Sequence, residues 1–259
     1  MSLYYREYGD KSAPLIMFLH GGGVSSWMWD QQIQFFSHYH CIVPDLPEHG
    51  LNDHKVKFSI YDSAEALIKL IEEKANSKKV IIIGFSLGAQ VLIQILSMKP
   101  TLIDYAMINS ALVRPFPYAK IFIKPSILLS FPLLRYRWFA KLQAKTLYVN
   151  EDNFETYYEE SSQITSDTLI RVLEENMTFK IPKNFNKAKG KILVTVGEKE
   201  KSIMKKSAID IVSAHSNCTG VVIPHIGHGA PLAIPDFFNH MVERWIREDE
   251  LPMECEVIK

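Results

Sequence analysis

Val80-Ile81-Ile82-Ile83-Gly84-Phe85-Ser86-Leu87-Gly88 runs from four β-branched residues into a turn made of glycine and serine. β-branched side chains crowd a helix and pack well on a pleated surface, so Val80–Ile83 reads as a strand buried on both faces. Ala89–Met98, which follows, is apolar and reads as a helix. Ser86 therefore sits on a tight strand-to-helix turn. Glycines two before and two after it leave room for a strained backbone and for close neighbouring elements. Such a turn lifts the hydroxyl above the sheet and aims the first helical N–H groups toward a developing oxyanion. A bare G-x-S-x-G arises by chance at the level of a few per cent, on the order of what a short motif allows; the strand-turn-helix context makes it rarer. The alternative is a glycine-rich turn that packs helix on strand, with Ser86 as a helix cap.

The same rhythm extends to both sides. Leu3–Tyr8 and Pro14–Leu19 read as strands, the second ending at His20-Gly21-Gly22-Gly23. Residues 27–38 read as a helix with Trp27, Trp29, Ile33 and Phe36 as packing positions. Cys41–Val43 is a strand closed by Pro44-Asp45. In residues 60–75, Ile60, Ala64, Leu67, Ile68 and Ile71 recur three and four apart, the spacing of an amphipathic helix. Alternation of this kind implies an α/β class with a mostly parallel central sheet flanked by helices. It stops near Ala111. It returns with a strand at Ile192–Val196, a helix near 201–214, a strand at Val221–Ile223 and a helix near 235–247. The expected organisation is a core of residues 1–111 and 188–259 interrupted by an insertion, 112–187. Glu248–Lys259 is polar and mixed and reads as a loose tail.

Composition narrows the classes. The 259 residues carry 29 Lys+Arg against 29 Asp+Glu, 47% hydrophobic and 22% charged, as in ordinary globular chains. With no net charge there is no global field to hold a phosphate backbone, so no nucleic-acid partner is expected. The longest apolar runs fall far short of the roughly 20 residues of a spanning helix, so no stable membrane insertion is expected. Met1–Asp10 lacks the basic start and apolar stretch of a signal peptide, and a cytoplasmic location is the default. Cys41, Cys218 and Cys255 are odd in number and widely spaced, against a disulfide framework or a cysteine zinc site. No H-E-x-x-H or clustered His/Cys set implies a metal. No G-K-[ST] follows the triple glycine, and it is no G-x-G-x-x-G dinucleotide fingerprint, so no cofactor is expected.

Taken in order, four segments resemble the α/β-hydrolase superfamily over nearly the whole chain. They are His20-Gly21-Gly22-Gly23, Asp45-Leu46-Pro47-Glu48-His49-Gly50, the Ser86 turn, and Gly227-His228-Gly229. The second is similar to the family's D-L-P-G-H-G turn, with Glu48 in place of a glycine. The resemblance implies an α/β-hydrolase fold with an inserted helical cap at 112–187. It also implies Ser86 as nucleophile. A serine hydroxyl is a poor nucleophile without a base. Nine histidines are available. The resemblance points to His228, on a loop freed by flanking glycines; His225, nearer the strand end, is the rival and is expected to be structural. The family places an acid after the strand read as Ile192–Val196. Glu200 of Gly197-Glu198-Lys199-Glu200 occupies that position, with Glu198 as rival. It departs from the commoner Asp by one methylene. The earlier strand, where some members carry the acid, offers only Asn109-Ser110-Ala111. Backbone N–H groups of Gly22 and Leu87 fill the oxyanion positions, and Gly23 is a substitute for Gly22. Asp45 and His49 are assigned to structure.

The insertion is rich in aromatics, among them Phe116, Phe122, Trp138, Tyr148 and Tyr157, against 11% for the whole chain. Most are expected to pack the cap onto the core, and the remainder to line an apolar acyl pocket. Ile121–Leu134 has the composition of an element that touches lipid, but its prolines and short length argue against that role. The expected function is a cofactor-free serine hydrolase acting on a small-to-medium carboxylic ester through an acyl-enzyme on Ser86. Serine at the turn argues against the haloalkane dehalogenase and epoxide hydrolase branches, whose nucleophile is a carboxylate. The same residues would serve a lactonase, thioesterase, amidase or C–C hydrolase, because the pocket selects the substrate. A non-catalytic ligand-binding protein on the same scaffold is the alternative of another class.

Overall fold

The computed structural model describes residues 3–52 and 56–258. The β-branched run becomes β4 (Val80–Phe85), between β2 (Leu15–Leu19) and β5 (Tyr105–Asn109), and parallel to both. Period-two alternation splits its side chains between two cores. Ile82 joins Leu15, Met17 and Leu19 on one face, and Ile81 and Ile83 join Ile16 and Phe18 on the other. Burial on both faces explains why these strands are apolar throughout rather than alternating.

Among the described residues the sheet has eight strands. Added to those three are β1 (Tyr5–Gly9), β3 (His40–Pro44), β6 (Lys191–Gly197), β7 (Cys218–Ile223) and β8 (Glu256–Val257). The order is β1-β3-β2-β4-β5-β6-β7-β8, antiparallel only at β1–β3 and β7–β8. The reversal of strand order around β2 and β4 opens a crevice at their carboxyl ends, where open α/β sheets place ligands. The tail differs from expectation. Glu256 and Val257 pair with Val222 and Val221 as an edge strand, and Cys255 is buried. A two-residue strand is too short to announce itself by periodicity.

Of the helices, α1 (Asp30–Phe35) is shorter than the sequence suggests, because Ser26–Trp29 forms a 3₁₀ turn before it. Trp27, Trp29, Ile33 and Phe36 are nonetheless buried. α2 (Ile60–Ala75) buries its apolar stripe beside α3 (Leu87–Met98), which follows Ser86. Between β5 and β6 lie α4 (Ala119–Ser130), α5 (Arg137–Thr146), α6 (Glu151–Gln163) and α7 (Ser166–Thr178). After β6 comes α8 (Ser202–Ser213); after β7 come α9 (Ala230–Ala233) and α10 (Pro235–Glu248), whose Phe238, Met241, Val242 and Trp245 seal the second core.

Candidate active site

Ser86 has φ 53° and ψ −109°, a conformation that costs an L residue on the order of 1–3 kcal/mol. Its neighbours show what imposes it. A side-chain carbon on Gly84 would come within 2.7 Å of the Gly88 carbonyl oxygen, and one on Gly88 would sit on the Leu19 and His20 carbonyls. The two glycines therefore let α3 start directly against the end of β2. Ser86 N–H donates to the Asn109 carbonyl (2.9 Å), which locks the turn to β5.

Three loops from the carboxyl ends of β4, β6 and β7 bring the expected residues together. His228 Nε2 lies 3.1 Å from Ser86 Oγ, and His228 Nδ1 lies 2.8 Å from Glu200 Oε2. Glu200 Oε1 accepts from Ser110 Oγ (2.6 Å) and Gly197 N–H (2.9 Å). Burial pushes the Glu200 carboxyl up, but the hydrogen bonds from His228, Ser110 and Gly197 outweigh it and hold it below the ordinary carboxylate range. An ionised carboxylate takes its proton-bearing partner from Nδ1, so Nε2 is left bare to accept the serine hydroxyl. The Phe85 ring stacks at a tilt on His228, centroids 5.0 Å apart. Gly227 and Gly229 flank the imidazole because Tyr148, just after α5, packs on both: a side-chain carbon at either would approach the tyrosine ring or its hydroxyl to 2.8 Å.

The rival residues lie elsewhere. His225 is exposed rather than structural, its N–H donating to Glu198 Oε2 (2.7 Å), and the two side chains face each other at the surface. Sequence reading assigned no role to Ser110, which donates to Glu200 from the end of β5.

Gly22 and Leu87 are neighbours across the mouth of the site, since a side-chain carbon at Gly22 would lie 3.5 Å from Leu87 Cδ2. Leu87 opens α3, where the backbone N–H has no intrahelical acceptor. Gly22, Gly23, Ser86 and Leu87 line one cavity of ≈ 450 Å³. Its other walls come from α5, α6 and α7 and from the turn after β3. Among the described residues no group of three or more His, Cys, Asp or Glu side chains is placed to hold a metal ion.

That turn is a framework. Asp45 accepts from Ser26 N–H (2.8 Å) and Leu51 N–H (2.8 Å), and buried His20 accepts from Leu46 N–H (2.9 Å) while its Nδ1 meets the Gly21 carbonyl (2.7 Å). The triple-glycine loop is thereby tied to the turn. Glu48 keeps the left-handed backbone (φ 61°) that a glycine would adopt freely. Its buried carboxylate accepts from Phe58 N–H (2.8 Å), Thr168 Oγ1 (2.9 Å) and Arg171 Nε (2.9 Å), so it fastens α7 to the core.

These burials set an acid profile. Burial opposes the Glu48 charge, but Arg171, Phe58 and Thr168 outweigh it and lower its pKa to about 2. Burial, reinforced by His20, lowers His49 to about 4. An unfolded chain would bind a proton at His49 below its ordinary 6.5 while the folded chain would not until about 4, so stability falls with pH across that window. The Glu48 contribution is complete above 4.5 and is lost as pH falls through about 2. Urea titrations should show stability declining in two stages below neutrality. His49→Phe should flatten the upper stage and Glu48→Gln the lower.

A family described as "Alpha/beta hydrolase family" matches residues 16–241. A haloalkane dehalogenase of Bradyrhizobium diazoefficiens is 35% identical over 75 residues, 28% of this chain and 24% of that protein. The chain likewise spans no more than about a third of several other curated relatives. An (E)-2-((N-methylformamido)methylene)succinate hydrolase of Acinetobacter baylyi is 22% identical over 253 residues, 94% of this chain and 93% of that one. An esterase structure from Exiguobacterium antarcticum superposes with a TM-score of 0.80 at 15% identity, covering 95% of this chain and 96% of that one.

Proposed function

The chain belongs to the α/β hydrolase family, and we propose that it is a cofactor-free serine hydrolase cleaving a small-to-medium carboxylic ester. One observation carries the reading: a continuous hydrogen-bond line runs from Ser86 through His228 to the buried Glu200. In this reading Ser86 Oγ attacks the ester carbonyl as His228 Nε2 takes its proton. Glu200 stabilises the imidazolium. The Gly22 and Leu87 N–H groups hold the oxyanion. The C–O bond breaks, the alcohol leaves with the proton from His228, and water then cleaves the acyl-enzyme by the same exchange. Residues 112–187 act as a cap that supplies the far walls of the cavity.

The cavity also bears on substrate charge. Its lining holds no Lys or Arg among the described residues. Glu48 is committed to Arg171, whereas Glu160 accepts only neutral donors, Ser25 Oγ (2.7 Å) and Trp27 Nε1 (2.9 Å). His49 lines the same cavity, and its buried Nε2 has no hydrogen-bond partner. Acceptors without cations suit a neutral substrate carrying hydrogen-bond donors and disfavour a carboxylate-bearing one. That sets the pocket apart from one fitted to a succinate, the substrate named for the A. baylyi relative. Serine at position 86 equally disfavours dehalogenation through a carboxylate nucleophile.

The test is intact-mass analysis after treatment with a fluorophosphonate. One adduct on wild type and none on Ser86→Ala is expected, followed by turnover of neutral esters in preference to their carboxylated analogues. Absence of an adduct on wild type, with the cap loosened by mild detergent, would move the chain to the ligand-binding class.

A further inference from the structure

α4 carries its apolar face on the wrong side for a helix bordered by solvent. Its inward positions are Ala119 and Ile123, and it packs on α7. Outward it shows Ile121, Phe122, Leu128 and Leu129, which are 65%, 64%, 53% and 85% exposed. Positions i, i+1, i+7 and i+8 fall on one face of a helix, and that face is ordinarily polar. α5 repeats the arrangement. Ala140 and Ala144 point inward, and Trp138 and Leu142 are exposed. Exposed apolar side chains gathered on one side of a helix mark an interaction site.

Charge indicates what meets it. Between Asp104 and Glu151 the chain has no acidic residue, yet it has Arg114, Lys120, Lys124, Arg135, Arg137, Lys141 and Lys145, in a sequence that as a whole balances at 29 and 29. Arg114 and Arg137 are paired with Asp210 and Glu155. The other five are exposed and have no carboxylate within salt-bridge distance among the described residues. Lys120 and Lys124 flank the α4 stripe. Lys141 and Lys145 share a stripe with Trp138 and Leu142, at i, i+3, i+4 and i+7. Aromatic and aliphatic side chains interleaved with unpaired lysines suit the boundary of acyl chains and anionic headgroups. A second copy of the chain fits less well, because a two-fold interface sets the patch against itself and cations against cations. Pro125 does not exclude the role, since the helix continues through it. No helix among the described residues is long and apolar enough to cross a membrane, so contact would be peripheral.

We infer that the α4–α5 face is a peripheral docking surface for an anionic phospholipid bilayer. Phe122, Leu129 and Trp138 enter the acyl boundary, and the five unpaired cations meet headgroup phosphates. Gln143 and Thr146 of α5, the helix that carries Trp138, line part of the cavity. The inference does not depend on the reaction at Ser86.

Sedimentation of the full chain with vesicles tests it. Vesicles of phosphatidylcholine containing roughly one-third phosphatidylglycerol should bind wild type about tenfold or more better than pure phosphatidylcholine, and added salt should reduce the difference. The pairs Lys120→Glu/Lys124→Glu and Phe122→Ser/Leu129→Ser should each weaken binding by roughly tenfold or more while keeping the wild-type Tm, because these side chains are exposed. Trp138→Ser/Lys141→Glu, on the other helix, gives an independent pair if one variant fails to fold. Equal sedimentation with both vesicle types, or variants that bind as wild type, would overturn the inference. So would a wild-type dimer that the variants dissolve, which would make the patch a contact between copies.

Discussion

Ser86→Ala is expected to lower kcat by roughly 10⁴- to 10⁶-fold on whichever ester the substrate panel selects, with KM changed little. The expectation follows from what the residue does in the proposed reaction. Without Oγ there is no acyl-enzyme, and only oxyanion donors and binding remain, which by themselves leave roughly 10³- to 10⁴-fold over water. Folding should survive. Ser86 Oγ contacts His228 Nε2 at 3.1 Å and caps no helix, so its loss leaves no buried donor stranded. Ser86→Gly should go further. A glycine adopts φ 53° without the penalty an L residue pays, so this variant should be as inactive as alanine yet unfold at higher urea. A stabilised, inactive glycine variant would show that the backbone strain is kept for the position of the hydroxyl. A Ser86→Ala protein retaining more than a few per cent of kcat would remove the serine from the mechanism.

What could be read from residues and what could not divides along physical lines. Val80–Ile83 and Leu15–Leu19 declare themselves because strands buried on both faces must be apolar throughout. The Ser86 turn declares itself because Gly88 has no room for a side chain against β2. Both are demands a short stretch of chain makes on itself. Ser110 could not be found this way, because its value lies in the pairing of β5 with β6, 86 residues apart at Asn109 and Thr195. Glu160 escaped for the same reason. Its partners Ser25 and Trp27 are more than 130 residues away, and the segment that carries it shows no strand-helix alternation. His225 misled because proximity to a strand end says nothing about the direction of a side chain on a left-handed residue (φ 61°). The 3₁₀ turn at Ser26–Trp29 preserved the burial pattern while changing the backbone, so packing positions were legible where helix type was not.

Glu48 joins fold and site. The resembled turn carries a glycine at this position, and the structure supplies a reason to accept the strained alternative. The carboxylate binds α7 through Thr168 and Arg171 and the backbone of Phe58 at once. Breaking a buried pair from one side strands the other charge. The far wall of the cavity is thus held by the same turn whose Leu46 N–H orients His20 and the triple-glycine loop.

Glu200→Gln is expected to lower kcat by roughly 10³- to 10⁴-fold, and Glu198→Gln to leave it within about twofold. The amide keeps the size of the side chain but can present its NH₂ to Nδ1. That would favour the tautomer with the proton on Nε2, and a protonated Nε2 cannot accept from Ser86. The carboxylate also holds the imidazolium formed during attack, which a neutral amide does not. Its three donors, His228, Ser110 and Gly197, keep it below the ordinary carboxylate range despite burial. Those bonds favour its ionised form. Ser110→Ala removes one donor and should cost less than Glu200→Gln. Glu198 offers a control on the same turn, since it meets only His225 at the surface. Steady-state rates of the three variants against pH read the assignment directly. A Glu198→Gln enzyme that is dead beside an active Glu200→Gln would transfer the acid to Glu198 and require the β6–α8 turn to rearrange on substrate binding.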